Sequence, residues 1–385
     1  MSIVASRLGL GPLPAFLDPT SPRPALRVPV TGGAHMWLVT EYALGRMVLS
    51  DKRFSRAAAA RPEAPKWQAV NPSPNSIMSM DGAEHARLRR IAASAFTAKR
   101  VADLAPFIER TAAELLDAVA AGARPADLVS GYTAPLPVAT LGALLGVPAA
   151  DRPRFEDSVV ALFGVADPVP DGEIHRARHE LILVDYMSAL ISRKRREPKD
   201  DFLSVLIRAN DGGTLSQAEL INFGLALLMA GYETTAGQLS MSVLALLSGG
   251  AARDALDEKT IEELIRTTPT TPVSFPRVAV EDVSLGETVI RAGEAVIVSL
   301  LHCNHDDSVF AEPDPVGGRR PAQHLTFGHG VHHCLGAPLA RLQLRIALPR
   351  LWQRFPGLRL AEGAGSVRWK DGLVTRGLAR LDVTC

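Results

Sequence analysis

Cys334 stands in the segment Phe327-Gly-His-Gly-Val-His-His-Cys-Leu-Gly-Ala-Pro-Leu-Ala-Arg341, whose residue types favour a reactive sulfur. Two glycines before it, Gly328 and Gly330, and one after it, Gly336, let the backbone bend tightly and approach a flat ligand closely. Pro338 suits the first turn of a helix. The cysteine therefore precedes a helix N-terminus, where unpaired amides and the macrodipole favour thiolate over thiol. Amide hydrogens beyond it can donate to the sulfur and tune a bound metal. Two other readings compete. A lone cysteine before a helix is commonly a small buried apolar residue. His329, His332 and His333 also crowd Cys334 as zinc ligands would, although four ligands so close in sequence cannot easily wrap one tetrahedral ion.

A second group is Ala230-Gly-Tyr-Glu-Thr-Thr235. Gly231 weakens a helix interior by roughly 0.5–1 kcal/mol, and Glu233 and Thr234 bring polarity into an apolar run. Read from the residues alone, they make a satisfied polar kink. Glu263-Leu-Ile-Arg266 places two opposite charges at i, i+3, worth a few tenths of a kcal/mol on a surface. His85 and Arg89 fall one helical turn apart on one face, with Arg90 off that face. Arg277 precedes a strand, and His332 lies in the cysteine segment. Each alone reads as a solvated surface residue. His302, Cys303 and His305 read as structural, and Cys385 as inert.

The elements that must position these groups are mixed at first. Leu26–Val30 and Met36–Thr40 flank Thr31-Gly-Gly-Ala34 as a β-hairpin, and the Ala-, Pro-, Asn- and Ser-rich residues 57–77 read as a long loop. From His85 to about Ser248 the periodicity is helical. Ser216-x-x-Glu219 is a capping box, and the run behind it is apolar on nearly all faces, so it must be buried on nearly all faces. Ending near Leu247, it would be roughly 45 Å long. Glu287–Ile290 and Ala295–Leu300 read as a second hairpin around Ala292-Gly-Glu294. A helix follows from Pro338 to Phe355, then short strands around Gly372. The class is mostly α with small β-sheets.

The 385 residues carry 42 basic and 41 acidic side chains, a formal charge of +1, which gives no support to a nucleic-acid partner. Three cysteines cannot staple a chain of this length, and they suit a reducing compartment. The most apolar run, Phe223 to Ala230, is far short of the roughly 20 residues that span a bilayer. No signal peptide or anchor is readable. The expectation is a cytoplasmic protein without a membrane partner.

Phe327-x-x-Gly330-x-x-x-Cys334-x-Gly336 resembles the haem-binding loop of the cytochromes P-450. The resemblance covers almost the whole chain, as one domain over residues 1–385, and lies closest to the soluble bacterial members. It implies heme b with Cys334 as the axial thiolate and Phe327 shielding the sulfur. It further implies Gly328 and Gly336 as part of the cofactor cradle and His85, Arg89, Arg277 and His332 as ligands of the haem carboxylates. Ala230 and Gly231 would form the oxygen-binding groove, Thr234 the alcohol and Glu233 the acid that relays protons. Glu263 and Arg266 would clamp the haem's back, but Pro313-Asp-Pro-Val316 has Pro315 and Val316 where the family has arginine and phenylalanine, leaving either Arg319 or Arg320 as a substitute or a clamp of two members.

The implied activity is monooxygenation of a mostly neutral small organic molecule, a secondary-metabolite intermediate. The alternative is the same haem chemistry used for ring coupling or desaturation. No Gly-x-Gly-x-x-Gly fingerprint or four-cysteine iron–sulfur spacing occurs, so electrons must come from a separate ferredoxin or flavodoxin with its reductase, unless peroxide is used. The chain is expected to be a monomer. Family positions facing the substrate fall in residues 57–77, Asp151–Ala177, Met229 and Ala230, Val273 and Ser274, and Leu373–Val374.

Overall fold

The β-prone runs near both ends of the chain and the apolar helical runs between them build two compact units. One contains Met1–Ala86 and Glu262–Cys334, the other Arg87–Ile261 and Leu335–Cys385. The computed structural model describes residues 25–30, 34–65, 74–153, 158, 172–249, 256–310, 323–363, 365–370 and 375–384.

The first unit is built on a five-stranded sheet. Its order is Ala25–Pro29, His35–Val39, Ala295–Val298, Arg277–Ala279 and Phe54–Ser55. The first two strands pair antiparallel as the expected hairpin, whose residues 31–33 lie outside the described ones. The second expected hairpin forms differently. Thr288–Ile290 pairs with Val283–Leu285 around Gly286, at φ +59°. Ala295–Val298 instead runs parallel to His35–Val39 and antiparallel to Arg277–Ala279. Its four apolar residues are all buried, as expected of an inner strand covered on both faces, while the two-residue Gly286-Glu287 connection suits a tight turn. The expected loop 57–77 begins as a short helix, Arg56–Ala59, where Ser55 Oγ accepts the Ala58 amide. It ends in a 3-10 turn, Ile77–Ser79; residues 66–73 lie outside the described ones.

The second unit is helical and centres on the 31-residue helix Gln217–Leu247. Its capping box forms as expected: Ser216 Oγ accepts the Glu219 amide, and Glu219 Oε2 accepts the Ser216 amide at 2.7 Å. The helix packs against Pro135–Leu145, Gly172–Arg196, Phe202–Asp211, Ala337–Arg354 and the strand Leu378–Thr384. From Thr235 to Leu246 every residue is buried, each large aliphatic one contributing about 1.5–3 kcal/mol. Two glycines let neighbours in. A Cβ on Gly224 would lie 2.6 Å from Met187 Sδ, and one on Gly231 would lie 2.8 Å from a Leu141 methyl. The helix expected from Pro338 spans Ala337–Arg354. Val367–Trp369 and Leu378–Thr384 form an antiparallel pair; Gly372 lies outside the described residues. Among the described residues no helix is long and apolar enough to cross a membrane.

Candidate active site

In the first unit the cysteine loop takes the conformation its glycines permit. Gly328 and Gly330 both sit at φ +73°, a region that side chains rarely tolerate. A Cβ on Gly330 would also meet Leu49 O and Ser50 Cα at 2.9 Å. Gly336, at φ −80°, is the N-cap of Ala337–Arg354 and needs no glycine-specific conformation. The Cys334 amide donates to Phe327 O at 2.8 Å, folding the loop back on itself. The Cys334 side chain is exposed, whereas Cys303 is fully buried, its thiol pushed up by burial. The small-apolar-residue account therefore fits Cys303 and not Cys334.

The histidines of the loop turn to different partners. His329 Nε2 faces Arg46 at 3.4 Å, His333 lies near the Phe327 ring, and His332 stacks on His85 at 4.1 Å between ring centroids. Among the described residues no three His, Cys, Asp or Glu side chains are grouped as a metal site, which argues against the zinc arrangement.

Around His332 the first unit buries an excess of positive charge. Arg56, His85 and Arg277 are about 5% exposed or less. Asp81 stands among them, accepting from Ser55 Oγ at 2.6 Å and the Ala57 amide at 2.8 Å. It lies 3.6 Å from His332 Nε2, an ion-pair separation longer than a hydrogen bond. Burial tends to raise the Asp81 carboxyl, but His332 beside it and the bonds from Ser55 and two amides outweigh burial and hold it well below its ordinary range. Burial pushes Arg277 down to about 10, countered in part by Asp81, and pushes Arg56 down to about 9. It lowers His332 too. Arg277 Nε and His332 Nε2 are buried without a hydrogen-bond partner among the described residues. One carboxylate thus faces two guanidiniums and the His332 imidazole, an arrangement suited to an anion. Arg89 lies four residues beyond His85 on the helix Gly82–Ala95 and is half-buried, while Arg90 is exposed.

In the second unit, Ala230 is exposed and Gly231 and Thr234 are half-buried. Leu228, Tyr232, Glu233 and Thr235 around them are buried. Ala230 and Thr234, one turn apart, form a strip of small side chains on an otherwise buried helix. Thr234 Oγ1 donates to Ala230 O at 2.6 Å, so its lone pairs remain as acceptors. Gly231 does not share that role alone, because its Cβ position points at Leu141 and its smallness serves helix packing. Glu233 is 2% exposed and accepts from Lys370 Nζ at 2.6 Å.

Glu263 binds Arg266 through both carboxylate oxygens but is itself exposed, while Arg266 is half-buried. Arg266 also donates to Asn304 O and stacks over Phe310 at 4.8 Å. Asn304, fully buried, donates to Arg266 O and Thr326 Oγ1 and accepts the Leu325 amide at 2.7 Å. This ties the Glu263–Arg266 helix to the start of the cysteine loop, a part the sequence reading did not assign. Pro313–Val316, Arg319 and Arg320 lie outside the described residues. His302 pairs with Ser299, and burial lowers His305 to about 4, in keeping with structural roles.

Comparison with known proteins decides the family. The family model described as cytochrome P450 matches residues 255–359. Nocardicin C N-oxygenase of Nocardia uniformis subsp. tsuyamanensis is 41% identical, over 96% of this chain and 95% of that protein. Mycinamicin IV hydroxylase/epoxidase of Micromonospora griseorubida is 41% identical over 95% and 93%. The solved structure of the mixed-function P450 MycG superposes with a TM-score of 0.85 at 40% identity, covering 94% of each chain. This chain belongs to the cytochrome P450 family. It is an oxidoreductase of the monooxygenase class with the mostly helical cytochrome P450 fold, and the family implies a haem-thiolate cofactor. The residues present fit that group. An exposed thiol stands on a left-handed glycine loop, and buried Arg277 and His332 nitrogens await acceptors that propionates would supply. Sequence reasoning missed Arg56, Asp81 and Lys370. Arg56 interrupts no periodic pattern, Asp81 gave only its position four residues before His85, and Lys370 is 137 residues from Glu233.

Proposed function

We propose that this cytochrome P450 binds heme b through Cys334 Sγ and inserts one oxygen atom into a mostly neutral, small secondary-metabolite intermediate. The relatives that act on nocardicin C and mycinamicin IV support that substrate class. In the same reading residues 1–385 work as one domain, a cytoplasmic monomer fed by a ferredoxin or flavodoxin and its reductase. The observation that carries the proposal is the exposed Cys334 on a loop whose glycines alone can hold its shape.

When bound, haem supplies dioxygen activation with two electrons, one oxygen atom passing to substrate and the other to water. Cys334 Sγ would hold the haem iron, with the loop amides beyond it able to donate toward sulfur and Phe327 beside it. Arg277, His332, His85 and Arg89 bind the two carboxylates of the porphyrin, with Asp81 holding His332 in place and Arg56 adding positive charge. Ala230 leaves room on the long helix. Thr234 Oγ1, committed as donor to Ala230 O, accepts a proton-bearing partner with its lone pairs, and Glu233 holds the proton that is to move.

Carbon monoxide difference spectra of the reduced protein test the ligation, since Cys334→Ala must lose the thiolate-type band. Isotopically labelled dioxygen tests the reaction. Label in the product is expected, and a dehydrogenated or coupled product without label would overturn oxygen insertion.

A further inference from the structure

Glu233 is 2% exposed, so it cannot exchange protons with bulk water directly. Lys370 Nζ donates to Glu233 Oε1 at 2.6 Å, and the lysine side chain keeps 25% of its exposure. Backbone geometry fixes the lysine there. Lys370 follows the strand Val367–Trp369, and its amide donates to Gly377 O at 3.0 Å, closing the chain toward the strand Leu378–Thr384. A Cβ on Gly377 would stand 3.5 Å from Gly237 Cα and 3.7 Å from Glu233 Oε1. The terminal hairpin therefore lies directly on the helical turn that carries the acid.

We propose that Lys370 is the positioning residue of Glu233 and the link through which this buried carboxylate reaches solvent. The proposal rests on the reading of Glu233 and Thr234 given above. A buried charge persists only when paired, and Lys370 supplies the pairing from a side chain that still touches water. A proton passing from Lys370 Nζ to Glu233 Oε1 breaks one N–H bond, makes one O–H bond and leaves both groups neutral. Water then returns a proton to the amine. The carboxyl then serves as donor to the groove side of the helix.

A bare structural pair would hold the hairpin to the helix and nothing more, so the test needs a readout that folding does not move. The haem-loaded enzyme is compared as wild type, Lys370→Met, Lys370→Arg, Glu233→Gln and the Lys370→Met/Glu233→Gln double variant. Lys370→Met is expected to keep the carbon monoxide band and bind substrate within about twofold of wild type, while turnover falls about tenfold. Its solvent isotope effect should rise, with more peroxide released per product. Lys370→Arg, which keeps charge and reach, is expected to recover most of the rate. In the Glu233→Gln background Lys370→Met should add less than about twofold, as expected of two residues acting in one step. Wild-type turnover and isotope effect in Lys370→Met, beside an impaired Glu233→Gln, would overturn the link alone. A silent Glu233→Gln would overturn the relay itself and the link with it.

Discussion

Asp81 shows what one acid does among buried cations. With Arg56 and Arg277 nearby and His332 3.6 Å away, the carboxylate is the local counterion, and its pKa is depressed when the protein folds. A depressed carboxyl adds stability that is present above its unfolded pKa, about 4, and is lost as pH falls through the folded value. Asp81→Asn should therefore unfold at lower temperature than wild type at neutral pH, and the gap should close under acid. Melting curves of the haem-free protein from about pH 7 down to about pH 3 check this. A gap independent of pH would show that Asp81 acts by packing alone. At the same scale the two cysteines separate by exposure. Cys303→Ala should keep the thiolate carbon monoxide band that Cys334→Ala loses, because the Cys303 thiol is buried, with Thr40 O and Glu41 O beside it.

Two short elements hold the cysteine loop, and each has a weak point. Gly330 carries φ +73° and has backbone of the helix Tyr42–Ser50 where a side chain would go. Gly330→Ala should cost about 3 kcal/mol or more from strain and overlap together, read as a lowered urea midpoint and poorer haem retention. Gly336→Ala, at an ordinary helical φ, should cost far less. Asn304 is the other point. It joins the helix Glu258–Thr267 to Leu325 and Thr326, just before Phe327. Asn304→Ala leaves the buried Leu325 amide without its acceptor, which should cost about 2–4 kcal/mol with the lost Thr326 and Arg266 bonds included. Equal urea midpoints for Asn304→Ala and wild type would remove it from the clamp.

For the whole molecule the open quantity is electron supply. Arg90 is exposed, Arg341 is half-buried, and Arg345 is paired with Glu258, which offsets its charge. If an acidic ferredoxin docks on this set, association should slow as salt rises. Charge reversal at Arg90 should slow it more than reversal at Arg345, and reversal at Arg341 should slow it as well. Stopped-flow reduction at several ionic strengths measures this, and rates indifferent to salt and to all three reversals would place the partner elsewhere.

Local chemistry made much of this protein legible from its residues. The glycine-flanked cysteine, the capping box before the long apolar helix and the basic residues one turn apart are short-range patterns, and the helices and left-handed glycines they called for are present. The second hairpin was misassigned because alternation along the chain does not say which edge a strand will pair with; burial of Ala295–Val298 on both faces decided that. Gly231 looked like groove space, yet Leu141 from another helix fills the place of its side chain. Arg56, Asp81, Asn304 and Lys370 gave no motif because their partners are distant in sequence or carry no periodic signature. Their roles come from charge and hydrogen-bond balance in buried places, which exists only once the chain has folded and water is gone.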